Sequence, residues 1–308
     1  MPDQIDYPKV SVGIPTRNSN GNIRGAIMSV INQKYPNIEI IISDDDSTDD
    51  TEELCTELSK KYPVIRYVRQ KENIGLFENF DFVLEKSTGE YFMWLSDDDA
   101  FEPGIISTYV NFLQNNPDYT LVSGQILYWD KERSLFYEKD FNMEQKSKYA
   151  RVVNYYFKVV HGAIYYGMMR RKTANLVPQR SRIGDDWHFV AAMAYLGKIK
   201  NLDEVGYNKR LGGTSVTFEN YAEAIGASSF SAAFPRIRIA IDAFTEILFH
   251  SPVYARSPLL SRAGLAVAAS SSVLASFYLK EFPFIMGGKI KRFFHKTFSQ
   301  LKLEASKG

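Results

Sequence analysis

Residues 89–103 read GEYFMWLSDDDAFEP. Tyr91 to Leu95 is an apolar run too short for a helix and preceded by a breaking glycine, Gly89. This is the pattern of a strand buried on both faces. Three aspartates follow, Asp97, Asp98 and Asp99, and Pro103 stands at the favoured first position of a helix. The same alternation repeats toward the N-terminus. Lys9 to Ile14 is a strand-like run stopped by Pro15, Ile38 to Ile42 a second rich in isoleucine, and Val64 to Val68 a third. Between them lie helical stretches. Asn22 to Gln33 places Ile23, Ala26, Ile27, Val30 and Ile31 at helical spacing. A second helix, capped by Thr48 or Asp49, runs to about Lys61, and a third spans Leu76 to Glu85. Toward the C-terminus, Thr120 to Ser123 reads as a fifth strand.

Strand and helix in this alternation predict βαβ units: an α/β fold with a mostly parallel sheet flanked by helices. Such sheets bind ligands beyond the carboxyl ends of their strands. The residues to inspect are therefore Pro15 to Asn18, Ser43 to Ser47, Gln70 to Gly75 and Ser96 to Asp99.

From about residue 126 to 220 the pattern loosens into aromatic, strand-like pieces. The loop Arg182-Ile183-Gly184-Asp185-Asp186 then precedes a helix over Trp187 to Leu196. From about 221 the chain reads as helical. Ala263 to Leu279 is 17 residues without charge, below the length of a span, and predicts a buried or interfacial helix. Beyond it, Lys280, Lys289, Lys291, Arg292, Lys296, Lys302 and Lys307 interleave with phenylalanines against only Glu281 and Glu304. Such a basic amphipathic tail suits an anionic membrane surface, with a docked terminal helix as the alternative.

Composition narrows the function classes. Lys and Arg total 37 against 36 Asp and Glu, so the net charge of +1 supplies no field for a general nucleic-acid binder. At 45% apolar and 24% charged, the 308-residue chain is that of a globular protein. One cysteine, Cys55, allows neither an intrachain disulfide nor a cysteine-rich metal site, and fits a reducing compartment. The polar, acidic start MPDQIDYPKV predicts no secretory signal.

Three adjacent carboxylates at Asp97 to Asp99 repel one another, and a hard divalent cation relieves that penalty. A solvated acidic loop is the alternative. A second cluster, Asp44, Asp45 and Asp46, also follows a strand, so the two are expected to converge on one crevice. Ser47 to Asp50 doubles as capping for the next helix. Asp185 and Asp186 stand either as a helix cap or as a general base away from the metal cluster. His161 and His188 read as core or surface histidines. No glycine-rich dinucleotide or phosphate loop follows the first strand.

Taken in order, VSVGIPTRN at Val10 to Asn18, IIISDDDSTDDT at Ile40 to Thr51, Asn73 to Gly75 and GEYFMWLSDDDAFEP at Gly89 to Pro103 resemble the nucleotide-sugar-binding half of family 2 glycosyltransferases. The resemblance covers roughly residues 8 to 125 and implies a Rossmann-like GT-A fold. It divides the chain into a nucleotide-sugar-binding half at 1–125, an acceptor-binding and catalytic-base half of the same domain at 126–220, and a helical C-terminal extension at 221–308. Pro15, Thr16 and Asn18 would line the nucleotide pocket, and Asp44 or Asp45 would meet the base. Asn73 and Gly75 would flank the nucleoside. Asp97, Asp98 and Asp99 would hold the metal, Mn²⁺ or Mg²⁺, and the diphosphate, with Asp98 and Asp99 as ligands.

Gly184-Asp185-Asp186 looks like the family's Gly-Glu-Asp segment, which implies Asp186 as base with Asp185 in the usual glutamate position. Three departures stand out. Ser96 replaces the first aspartate of the metal motif Asp-x-Asp-Asp, Asp46 the glycine of DDGS, and Arg210 an expected histidine. We read Arg210 as a candidate to neutralise the leaving diphosphate.

The expectation is an inverting, metal-assisted transferase. It would move a sugar from a nucleoside-diphosphate sugar to a glycan or lipid-linked acceptor at the cytoplasmic face of the membrane, without nucleic acid as a partner. A nucleotidyltransferase and a catalytically silent sugar-nucleotide-binding protein are the alternatives.

Overall fold

The computed structural model describes residues 7–129, 134–211, 221–222 and 225–281. The first half follows the alternation: β1 (Val10–Thr16), α1 (Ile23–Ile31), β2 (Ile38–Asp44), α2 (Thr51–Lys61), β3 (Ile65–Arg69), α3 (Leu76–Glu85) and β4 (Tyr91–Trp94). These strands pair in parallel in the order β3-β2-β1-β4.

Successive residues of each strand enter different cores, because side chains alternate across a sheet. Ile40, Ile42, Tyr91 and Met93 join one cluster with Ile23, Ile27, Leu54 and Leu58 of α1 and α2. Ile41, Phe92 and Trp94 join the other, with Val83 and Leu84 of α3. A strand buried on both faces has no polar side, which is why these runs are uninterrupted.

The second half continues with β5 (Ala100–Phe101), α4 (Ile105–Asn115), β6 (Tyr119–Trp129), β7 (Ser134–Glu138) and α5 (Lys148–Lys158). A 3₁₀ turn at Ala163–Tyr166 leads to β8 (Met168–Arg170), α6 (Arg171–Ala174), α7 (Asp185–Leu196) and β9 (Lys198–Arg210). The sheet extends past β4 as β8-β6-β9-β5, with β7 beside β6. Here it is mixed. β8 runs antiparallel to β4 and β6, β9 runs parallel to β6, and β5 and β7 are antiparallel to their neighbours.

Several expected boundaries move. β1 continues through Pro15 to Thr16. The helix expected from Pro103 begins at Ile105, capped by Gly104 at φ +80°. The Asp49 carboxylate, not Thr48, accepts the Thr51 N–H at the start of α2. The fifth strand, expected at Thr120 to Ser123, is the 11-residue β6, because β8 and β9 pair along its length. It runs across the expected 125/126 boundary, so both halves share one sheet.

Among the described residues four more α-helices follow: α8 (Ser229–Ala233), α9 (Pro235–Thr245), α10 (Pro252–Ala255) and α11 (Leu259–Ser276). They are not a detached extension, since Ile239, Ala243, Leu265 and Val273 belong to the same core as Val152 of α5 and Val190 of α7. The helical run Leu259–Lys280 is 22 residues, longer than the sequence reading and, by length and composition only, enough to cross a membrane. The basic tail from residue 282 lies outside the described residues.

Candidate active site

Strand register sets the first part of the site. Thr16 pairs with Asp44, and Asp44 with Arg69, at the carboxyl edge of β1, β2 and β3. The Asp45 N–H donates to the Thr16 carbonyl at 2.9 Å. Thr16 Oγ1 donates to Asp97 Oδ2 at 2.6 Å. The two acidic clusters therefore flank a single residue of β1, as their positions in the sequence predicted.

Their carboxylates do different work. Asp44 is fully buried and accepts from the Ser47 N–H at 2.9 Å and the Tyr67 hydroxyl at 2.7 Å. It braces the strand ends and has no surface to offer a nucleobase, so the expectation of base contact narrows to Asp45. Asp45 accepts the N–H groups of Ile74 and Gly75 at 2.6 and 3.1 Å, which fixes the turn carrying Asn73 against the β2 end. Burial nonetheless lifts its carboxyl above the usual range. Asn18, at φ +53°, locks to this region through Thr48 N–H to Asn18 Oδ1 at 2.7 Å.

Asp46 occupies the usual glycine position with φ +56°, in the left-handed region that favours glycine. Arg69 reaches its carboxylate at 2.7 Å. The backbone thus keeps the shape a glycine would give, and the added charge is paired.

The Asp97–Asp99 cluster divides. Burial, with the neighbouring Asp98, pushes Asp97 up to about 6, although Thr16 and Ser19 donate to it. Asp99 Oδ1 accepts the Arg210 N–H at 2.7 Å. Asp99 Oδ2 accepts the Tyr207 hydroxyl at 2.7 Å and faces Lys209 Nζ at 3.4 Å. Both of its oxygens are thus engaged by β9, at the residue that the resemblance implied as a metal ligand. Asp98 is raised by burial and by Asp99, with Lys209 and Arg210 opposing. No side chain hydrogen-bonds its carboxylate among the described residues.

Lys209 is the residue the sequence reading passed over. On β9 its side chain lies on the same face as Tyr207, two residues away, and that face meets Asp99. It also sits 4.9 Å from the Tyr166 ring centroid. The Arg210 guanidinium instead donates to Asn22 Oδ1 at 2.6 Å. At the stretch where the resemblance implied a histidine, Lys209 thus faces the aspartate cluster and the Arg210 side chain turns to Asn22.

Asp186 opens α7, after Gly184 at φ +76°. Its partner Asp185 is buried and held by Arg182 Nε at 2.7 Å and the Arg180 N–H at 2.9 Å. Arg182 continues to Glu246 at 2.8 Å. Asp185, which the resemblance placed in the usual glutamate position, is thus tied into the loop by an ion pair and a backbone hydrogen bond. Asp186 is half-buried, and burial with neighbouring Asp185 lifts its carboxyl to about 7. Its backbone contact is the N–H of Trp187.

Gly162, at φ +75°, lies flat against it, since a Cβ there would come within 2.6 Å of Asp186 Oδ2. Gly162 caps the 3₁₀ turn that ends in Tyr166, and the Tyr166 hydroxyl accepts from Ser96 Oγ at 3.0 Å. Tyr166 stacks on Tyr207 at 4.8 Å. A continuous path thus joins Asp186 to the aspartate cluster through Gly162, Tyr166 and Ser96. Glu138, which accepts from Tyr128 and the Gly162 and Ala163 N–H groups, lines the same side.

His188 is buried, with Nδ1 2.7 Å from the Tyr156 hydroxyl, and is a core residue as the sequence predicted. Burial raises the Cys55 thiol to about 12, so it stays protonated.

Among the described residues no three His, Cys, Asp or Glu side chains form a self-sufficient ion site. The donor set does fit a hard cation that takes most of its ligands from phosphate and water. Asp98 offers a carboxylate with no side-chain partner, crowded by Asp97 and Asp99.

Residues 11–176, more than half of the chain, match the family model described as Glycosyl transferase family 2. The match ends nine residues before Asp185, so it does not extend to the Gly184-Asp185-Asp186 loop. An uncharacterized glycosyltransferase of Rickettsia typhi is 36% identical over 46% of this chain and 44% of its own length. A GalNAc(5)-diNAcBac-PP-undecaprenol beta-1,3-glucosyltransferase of Campylobacter jejuni is 36% identical over 44% of this chain and 42% of its own. The matched region spans less than half the length of these curated relatives.

Crystal structures of similar fold include S. aureus TarS 1-349 in complex with UDP-GlcNAc, with TM-score 0.60, 17% identity, and coverage of 89% of this chain and 76% of that one. Another is the mannosyltransferase PcManGT of Pyrobaculum calidifontis in complex with GDP-Man and Mn²⁺, with TM-score 0.52, 16% identity, and coverage of 96% and 84%. The ordered strand-end motifs, the shared edge they build and the family match together make this chain a member of glycosyl transferase family 2.

Proposed function

We propose that the chain is an inverting glycosyltransferase that carries a sugar from a nucleoside-diphosphate sugar to a hydroxyl of a lipid-linked glycan. Asp186 is the general base. The observation that carries the reading is the short path from the Asp186 carboxylate, across Gly162 and Tyr166, to Ser96 and the aspartates. That path, with the carboxyl raised to about 7, supports Asp186 as a base serving the edge where a donor diphosphate belongs.

Each group has a task. Pro15, Thr16 and Asn18 form the floor of the nucleotide pocket, and Asp45 holds the Asn73–Gly75 turn over it. Asp98 is the protein ligand for Mn²⁺ or Mg²⁺, with Asp97 beside it and Asp99 positioning β9. A bound divalent ion would neutralise charge on the diphosphate. Lys209 adds a fixed positive charge on the same side, where a leaving phosphate gains the most. Asp186 takes the proton from the acceptor hydroxyl as it attacks from the face opposite the leaving group, which inverts the anomeric centre.

The Campylobacter relative's name supports an undecaprenol-diphosphate-linked acceptor. The single buried, unreactive cysteine is in keeping with the cytoplasmic face.

The test is Asp186→Asn assayed against a panel of UDP-, GDP-, CDP- and dTDP-sugars, with and without Mn²⁺. Transfer falls by about 10³-fold or more while calorimetric donor affinity stays within about threefold. The melting temperature at neutral pH does not fall, because the variant removes a charge whose burial is unfavourable. Transfer at the wild-type rate removes Asp186 from the mechanism.

A further inference from the structure

The described residues leave 15 large apolar side chains exposed, and 10 of them lie between Phe230 and Leu279. Their spacing is not random. Ile237 and Ile241, four apart, lie on one side of α9, away from the buried Ile239, Ala240 and Ala243, and Phe230 and Phe234 stand exposed at the junction of α8 with α9. Leu260 and Val267, seven apart on α11, face away from the buried Leu265, Ala266, Ala269 and Val273. Leu260 is 86% exposed and Leu279 67%. The run Leu259–Lys280 is only 28% buried. Since α9 and α11 pack on each other, two neighbouring helices each turn an apolar stripe outward. A layer so exposed calls for a partner.

Charge selects that partner. Between Ile225 and Lys280 the acidic residues are Asp242 and Glu246. Both are buried in ion pairs, Asp242 with Arg238, and Glu246 with Arg180 and Arg182. The exposed charged residues of the layer, Arg256 and Lys280, are basic, with Lys280 donating to the Phe157 carbonyl. The chain that follows, 281–308, carries six Lys and Arg against Glu281 and Glu304. A basic tail gains nothing by folding onto a basic layer, and two such layers repel in a dimer. An anionic lipid surface satisfies the apolar stripes and the charge together.

We propose that the outer face of α9 and α11, built around Ile237, Ile241, Leu260 and Val267, docks on an anionic bilayer, lying in the interface without spanning it. The proposal rests on this layer alone and stands whether or not Asp186 is the base.

The experiment is co-sedimentation of the full-length protein with phosphatidylcholine vesicles, with and without phosphatidylglycerol. The wild type partitions onto the anionic vesicles at least about tenfold better, and loses that gain in high salt. The double variant Leu260→Glu/Val267→Glu loses at least about tenfold in partition with its melting temperature unchanged. The tail variant Lys291→Glu/Arg292→Glu loses only a few-fold. A Leu260→Trp chain, which keeps the surface apolar, is quenched by brominated lipid, and this reads insertion even if the glutamate variants fold poorly.

Four results would overturn the proposal: no binding to anionic vesicles, a glutamate variant that folds and binds as the wild type, retention through an alkaline wash as a spanning helix requires, or a wild-type dimer that the glutamate variant dissociates.

Discussion

The parallel and the mixed halves of the sheet hold their carboxylates in opposite ways. In the parallel half, Asp44 and Asp45 are held by N–H and hydroxyl donors within a few residues of a strand end. In the mixed half, Asp186 is left with the Trp187 N–H, and Asp99 is gripped by a strand more than 100 residues away. The first arrangement builds a rigid cradle. The second leaves the proposed base with few partners and ties this side to the cradle by long-range packing. Catalytic power should therefore be more sensitive to changes in the mixed half, and stability to changes in the parallel one.

The strongest way to break this comparison is Lys209→Met. If the mixed half supplies the charge that meets the leaving group, kcat falls about 10²- to 10³-fold, with a smaller change in donor affinity. A loss confined to KM would move Lys209 into ground-state binding. Gly162→Ala is next. Its Cβ would push directly on Asp186, and the expected cost is about 10²-fold in kcat with the nucleotide pocket intact, read by calorimetry. Unchanged kcat would mean that the two groups part without consequence.

The pH profile is milder and sharpens the assignment. A base must be ionised, so kcat should rise about tenfold per pH unit and level off above about 7, where Asp186 has lost its proton. The stability linkage has the opposite slope. Burial raises the folded pKa above that of the unfolded chain, so the neutral acid favours folding. Its contribution is complete below about pH 4 and is lost as pH climbs through about 7. Asp186→Asn should flatten both curves, and a kcat profile that keeps its inflection in that variant belongs to another group.

The smallest effect falls in the parallel half. Asp46→Gly relieves a left-handed backbone but gives up a partly exposed pair with Arg69, and the two nearly cancel. Stability should shift by less than about 1 kcal/mol in a denaturant melt. A larger loss would make the ion pair the dominant contribution.

The same contrast explains what the sequence could tell. β1 to β4 announce themselves because a strand buried on both faces has no polar interruptions, and their aspartates are legible because strand ends define the edge. Asp186 was found through the resemblance, on a loop no periodicity marks. Asp99's true partners were not legible, because Tyr207 and Lys209 reach it across the sheet. A signal was nevertheless present: residues two apart on a strand share a face, so Tyr207 and Lys209 point together while Arg210 points away. The 11 residues of β6 were underread for a similar reason, since β8 and β9 pair with the strand and its own composition does not show its length.

One contact joins the helical layer to the chemistry. Arg182 grips Asp185 on one side and Glu246 on the other, so the loop that aims Asp186 is latched to the end of α9. A chimera that grafts a foreign C-terminal layer onto these strands would inherit the pocket but not the alignment of the Asp186 loop. Swapping that layer should be expected to uncouple donor capture from turnover unless the arginine–glutamate latch travels with it.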